Sequence, residues 1–175
     1  MRRPTRRAAP KLAVALLAGG AIALASLAQA DAPAGQYDLF GRYAVTIHDL
    51  NTDLIWERSY AATTMSFDGA AAYCGSLSLS PYGSGWRVPS YKELLTLVDE
   101  HPHFETSGGT EVQKAIDANA FYGTPSDLAF WTSSVYPGST TVGGVTAYVV
   151  NFKDGSGAYT ASTGTFYVRC VHDDD

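Results

Sequence analysis

In the stretch Trp86-Arg87-Val88-Pro89-Ser90-Tyr91-Lys92-Glu93-Leu94-Leu95, Ser90 and Glu93 stand three apart. That is the spacing of a capping box, in which the serine hydroxyl accepts from the backbone N–H of the glutamate and the glutamate carboxylate reaches back to the serine N–H. Tyr91, Leu94, Leu95 and Val98 then share one helical face, which predicts a helix ending near Asp99, before Pro102. Upstream, Phe67, Ala70, Ala71 and Cys74 recur at i, i+3, i+4 and i+7. This predicts a helix over 67–77, capped by Ser66 or Thr64, with Cys74 turned inward. Before it, residues 43–47 and 54–56 read as the strands of a hairpin around the turn-rich residues 48–53.

Downstream, Ser107 to Gly109 breaks the pattern, and Val112, Ala115 and Ile116 have the spacing of a short helix over 110–119. Beyond Pro125 the runs 130–133, 147–152, 158–161 and 166–172 have β character, with Asp154-Gly155 as a turn between two of them. Helices in the first half and antiparallel strands in the second predict an α+β domain over 43–172, unlike a parallel βαβ enzyme.

The 175 residues carry 12 basic and 17 acidic side chains, but five of the basic ones lie in the first 11 positions. They precede an uncharged run, Leu12 to Leu27, and then Ala28-Gln29-Ala30. A basic start, an apolar stretch too short for a membrane span and a small-x-small site predict a signal peptide over 1–30, cleaved before Asp31. Arg6-Arg7 leaves twin-arginine export open beside the general route. Residues 31–42 read as a flexible lead-in and residues 173–175 as an acidic tail. Beyond residue 30, seven basic residues face 17 acidic ones, a formal charge of −10. That balance opposes nucleic acid and anionic membrane as partners, and no later stretch is long enough to span a bilayer. A periplasmic or secreted location is expected. In such an oxidising compartment Cys74 and Cys170, the two cysteines of the chain, are expected to form one disulfide joining the first helix to the last strand.

The Trp86-Arg87-Val88-Pro89 segment with Glu93-Leu94 resembles the signature of the Lcl C-terminal domain family, named for a Legionella collagen-like protein. Other elements follow the family in order: Val45, Asp49, Thr52, Leu54 and Trp56; then Ala70, Ala71, Tyr73, Cys74 and Leu77; then Phe130, Trp131, Thr132, Ser133 and Ser134. Phe152, Gly155, Val168, Arg169, Cys170 and Val171 resemble its closing hairpin. Val88 stands where the family has Leu, and residues 101–126 are longer and richer in glycine than its usual link, so loop function does not transfer there. The resemblance implies a C-type-lectin-like fold related to formylglycine-generating enzymes, with two main helices flanking a twisted antiparallel sheet and long loops. It also implies surface or secreted proteins, adhesins among them.

Trp56, Trp86, Arg87, Pro89, Glu93, Trp131 and Arg169 lie in these motifs, and packing and ion pairing account for them. Glu93 and Asp99 are the expected acidic partners of the arginines. Tyr82, Tyr122, Tyr136 and Tyr159, outside the motifs, are candidate ligand contacts, because a tyrosine ring can stack on a sugar while its hydroxyl hydrogen-bonds. Asp127 is a further candidate. Asp99, His101, His103 and Glu105 crowd potential metal ligands into seven positions without a known metal spacing, and calcium would find no Glu-Pro-Asn lectin motif. No cofactor is expected, and no catalytic constellation stands out. The expected function is an exported module for ligand binding or adhesion, recognising a glycan or a surface protein. A formylglycine-generating-type enzyme, which needs free thiols, and a structural subunit of a surface assembly are the alternatives.

Overall fold

The computed structural model describes Pro33 and residues 35–38, 45–139 and 144–174. The expected leader and its cleavage site, and residues 43 and 44 of the expected first strand, lie outside these residues. In chain order the described elements are β1 (Tyr37–Asp38), β2 (Thr46–Asp49), β3 (Leu54–Glu57), α1 (Phe67–Ser76), α2 (Tyr91–Leu95), β4 (His103–Ser107), β5 (Thr110–Lys114), β6 (Phe130–Val135), β7 (Thr146–Val150), β8 (Gly157–Ala161) and β9 (Val171–Asp173).

The expectation of an α+β, C-type-lectin-like domain with two main helices flanking a twisted antiparallel sheet is overturned, since the regular structure of the described residues is mostly β. The strands form three small antiparallel sheets, ordered β1-β2-β3-β9, β4-β5 and β6-β7-β8, and the helices have only ten and five residues. The capping box of α2 is present in full, yet the helix stops early. Thr96 Oγ1 donates to the Glu93 carbonyl at 2.7 Å, and Leu97 and Val98 N–H bond three residues back, tightening the chain out of α geometry. Asp99 N–H then donates to the Ala115 carbonyl.

The expected helix over 110–119 is a hairpin instead. Gly108 and Gly109 have φ of +58° and +82°, the left-handed pair that a two-residue hairpin turn requires, and Ser107 pairs with Thr110. Val112, Ala115 and Ile116 mimic a helical face because Ala115 and Ile116 are buried just beyond β5, after the strand has ended.

Within the first sheet Ile47 pairs with Trp56, and Trp56 with Val171. Two residues of the expected lead-in, Tyr37 and Asp38, pair with Asp49 and His48. One hydrophobic cluster gathers Ile55, Trp86, Trp131 and Val168 around Cys74 and Cys170. These cysteines form the expected disulfide, with Cα atoms 5.5 Å apart. A second cluster joins Trp56, Leu94, Phe121, Phe130 and Phe152. The clusters lie against opposite faces of the sheet β6-β7-β8: Ala147 and Val149 point to the first, Phe130 and Val150 to the second. Arg169 is fully buried, its guanidinium 4.6 Å from the Phe121 ring centre. Its Nε donates to the Ser59 carbonyl and its Nη2 to Thr124 Oγ1. Of the two expected acidic partners, Glu93 pairs with Arg87, which also pairs, outside the expectation, with Asp173 of β9, while Asp99 accepts from the His101 N–H. No helix among the described residues is long and apolar enough to cross a membrane.

Candidate functional site

Alternation along a strand places every second residue on the same face. In β7 and β8 the register pairs Tyr148 directly with Tyr159, flanked by Val150 with Gly157 and Thr146 with Ala161. Ala147 and Val149 go to the first cluster, which turns Tyr148, and Tyr159 paired with it, to the opposite face, the one from which Val150 enters the second cluster. Their ring centres are 6.2 Å apart, edge to face.

Two more tyrosines arrive from other elements. At the end of β6 the pairing with β7 shifts between Trp131 and Val135, and Tyr136 N–H donates to the Thr146 carbonyl at 2.8 Å. Such an irregularity re-aims the side chains that follow it. Tyr136 lies flat against Tyr159, with centres 4.3 Å apart and planes 12° apart. Where the ladder is interrupted, the buried Thr132 hydroxyl donates to the Tyr148 carbonyl at 2.8 Å. Tyr91 comes from the first turn of α2, its N–H donating to Ser134 Oγ at 2.9 Å, and its ring lies 4.9 Å from that of Tyr148. Gly157 leaves room for this seat, because a Cβ there would meet the Tyr91 hydroxyl unless that ring shifted.

The result is a continuous row of rings, Tyr91, Tyr148, Tyr159 and Tyr136. Tyr159 is 57% exposed, while the other three are half-buried. The rings brace one another, so an incoming planar or ring-shaped ligand meets a surface whose side-chain freedom is already spent. Each hydroxyl can donate and accept.

The other sequence candidates are dispersed. Tyr82 packs 5.7 Å from the His172 ring and lines a separate cavity with Asp38 and His48. Tyr122 is exposed on the turn after the buried Phe121. Asp127 borders a groove with Glu105 and Lys114. Of the possible metal ligands, Asp99 and His101 face one cavity, whereas His103 and Glu105 lie on β4, 3.6 Å from each other. Among the described residues no group of three His, Cys, Asp or Glu side chains is placed to hold a metal ion. Cys74 and Cys170 are bonded to each other, so the enzyme alternative has no thiol to use.

Of the four tyrosines, sequence reasoning selected Tyr136 and Tyr159 and missed Tyr91 and Tyr148. Tyr91 was absorbed into the apolar stripe of α2. Tyr148 lies in the run Ala147 to Val150, whose two faces both meet core, so alternation alone does not single it out.

The chain has no significant match among curated proteins. The family model described as the Lcl C-terminal domain matches residues 45–172, from just before β2 into β9. Carrying that match across most of its length, the chain belongs to the Lcl C-terminal domain family.

Proposed function

We propose that this protein is an exported, surface-associated binding module that recognises a glycan through the row Tyr91, Tyr148, Tyr159 and Tyr136. The observation that carries the reading is the Tyr136–Tyr159 stack, two rings held face to face where the sheet passes beyond its second cluster, with Tyr159 57% exposed. Sugar rings offer C–H faces that pack on aromatic rings and hydroxyls that pair with phenolic oxygens, so a braced row of tyrosines suits them. The surplus of acidic over basic residues beyond position 30 favours uncharged glycans over sulfated ones. Membership of a family with surface-exposed members and an apolar leader sequence agree with this role.

A glycan array probed with the processed protein provides the test. Binding to at least one uncharged glycan is expected, weakened about tenfold or more by Tyr159→Ala without loss of thermal stability. An empty array, or binding that neither Tyr159→Ala nor Tyr136→Ala alters, rejects the proposal.

A further inference from the structure

We propose that the outer edge of β8 pairs antiparallel with the same edge of a second copy of this chain, joining two β6-β7-β8 sheets into one across a two-fold axis at Tyr159. The pairing rests on the backbone of β8 and stands whether or not the tyrosine row binds a sugar.

β8 ends its sheet, with β7 on one side and no strand among the described residues on the other. In an antiparallel ladder, alternate residues turn both their N–H and C=O groups toward the partner strand. Asn151 N–H donates to the Ser156 carbonyl and Ser162 N–H to the Val145 carbonyl, so the even-numbered residues of this stretch bond to β7. The N–H and C=O groups of Gly157 and Tyr159, and the N–H of Ala161, therefore point out of the sheet. No described residue bonds to them, whereas the Ala161 carbonyl accepts the Gly164 N–H at 2.9 Å.

Proteins usually blunt such an edge with lysine, proline, a bulge or a covering element. β8 has none of these among the described residues. The strand Gly157-Ala158-Tyr159-Thr160-Ala161 is uncharged, it pairs with β7 through all five residues without a shift, and four of the five are exposed. An extended, unblunted edge is a template for a further strand.

Charge and symmetry select a second copy as that strand's source. Beyond residue 30 the chain has a formal charge of −10, so two copies repel each other over most of their surfaces. From 128 to 168 the sequence has two charged residues, Lys153 and Asp154, side by side between β7 and β8. β6, β7 and β8 hold no charged side chain, which makes this sheet the place where an acidic copy is least repelled. Antiparallel pairing about Tyr159 sets Gly157 of each copy opposite Ala161 of the other, small against small, and keeps the two Lys153-Asp154 turns at opposite ends. The two Tyr159 side chains then stand on one face as a directly opposed pair, a favourable aromatic contact. Five residues bury less than a standard interface does, so the dimer is a weak one, forming between micromolar and millimolar protein.

The test is sedimentation of the processed, disulfide-bonded protein over that concentration range, with amide hydrogen exchange read by NMR on the same samples. A reversible shift from one copy to two is expected, and the Gly157, Tyr159 and Ala161 amides should become protected as it occurs, while those of Ala158 and Thr160, already bonded to β7, change little. Ala161→Pro removes an outward N–H that the fold itself does not use, and should abolish the dimer with the melting temperature unchanged. If that variant loses its dispersed spectrum, Ala158→Glu, at an exposed position, serves instead by setting like charges across the junction. The proposal fails if the protein stays monomeric at millimolar concentration, if it assembles into more than two copies, if a dimer forms while the Tyr159 amide still exchanges freely, or if the folded variant dimerises as the wild type does.

Discussion

Arg87 and Glu93 form a two-pronged ion pair, Nη1 to Oε2 at 2.9 Å and Nη2 to Oε1 at 2.8 Å. The same carboxylate accepts the Ser90 N–H at 2.6 Å, so one side chain closes the capping box of α2 and ties it to the segment that pairs with Val171. The Arg87 hydrogen bonds, helped by the Ser90 backbone and resisted by burial, hold the Glu93 carboxyl down at about 2.

Acid should therefore release this contact. A carboxyl whose value falls on folding stabilises the protein fully above its ordinary value of 4.5, and that stabilisation is lost as pH drops through about 2. Glu93→Gln should cost about 1–2 kcal/mol at neutral pH, a figure reduced because the Arg87 side chain is partly exposed. Urea midpoints of the two proteins, measured across this acid range, should converge toward the low end. A gap that stays constant would assign the loss to capping alone.

The buried Arg169 gives a comparison of shape against charge. Arg169→Ala removes the donors to Ser59 and Thr124 and opens a hole beside Phe121, for a loss of about 3–5 kcal/mol. Burial holds the guanidinium down at about 10, so its charge is present at a cost. Arg169→Met keeps much of the volume and removes that cost, and should lose about 2 kcal/mol or less. Equal losses in chemical denaturation would show that the hydrogen bonds dominate.

Reducing the disulfide should be as severe as removing a core residue. Cys74 and Cys170 are 96 positions apart, and chain entropy alone assigns a loop of that length about 4–5 kcal/mol. Thermal melts with and without reductant, and of the Cys74→Ala/Cys170→Ala double variant, should show the same large drop. A double variant as stable as the wild type would contradict the prediction.

Gly157→Ala tests how the tyrosine row is assembled. Its methyl group would displace the Tyr91 hydroxyl, at a stability cost of about 1–3 kcal/mol. The near-ultraviolet dichroism of the stacked rings should change, and glycan binding should fall more than for an alanine placed at exposed Ser156. Tyr91→Phe in the same background should recover part of the loss by removing the colliding oxygen.

Features set by neighbouring residues were legible before any coordinates. Ser90 and Glu93 form the capping box because both partners lie within one turn, and Ser66 caps α1 by accepting from Gly69 N–H. The short helix over 110–119 failed because the spacing of Val112, Ala115 and Ile116 outweighed Gly108-Gly109, whose paired left-handed geometry is a hairpin signal. The division into three sheets could not be read, since it depends on which strand edges meet across tens of residues. Likewise, Tyr136 and Tyr159 were visible as loop-flanking aromatics. Their contact depends on the irregularity in β6 and on the β7–β8 register, neither of which leaves a local signature.

The pairing of β3 with β9 bears on how the protein is made. Until Val171 emerges, Trp56 lacks the second of its ladder partners, Arg87 lacks the backbone it pairs with, and Cys74 is an unpaired thiol. A half-synthesised chain has nothing with which to shut the first sheet beside β3. Structure that closes so late leaves Cys74 without its native partner for the whole of that interval. The segment that completes the sheet delivers the matching cysteine with it, so shape and covalent lock arrive together.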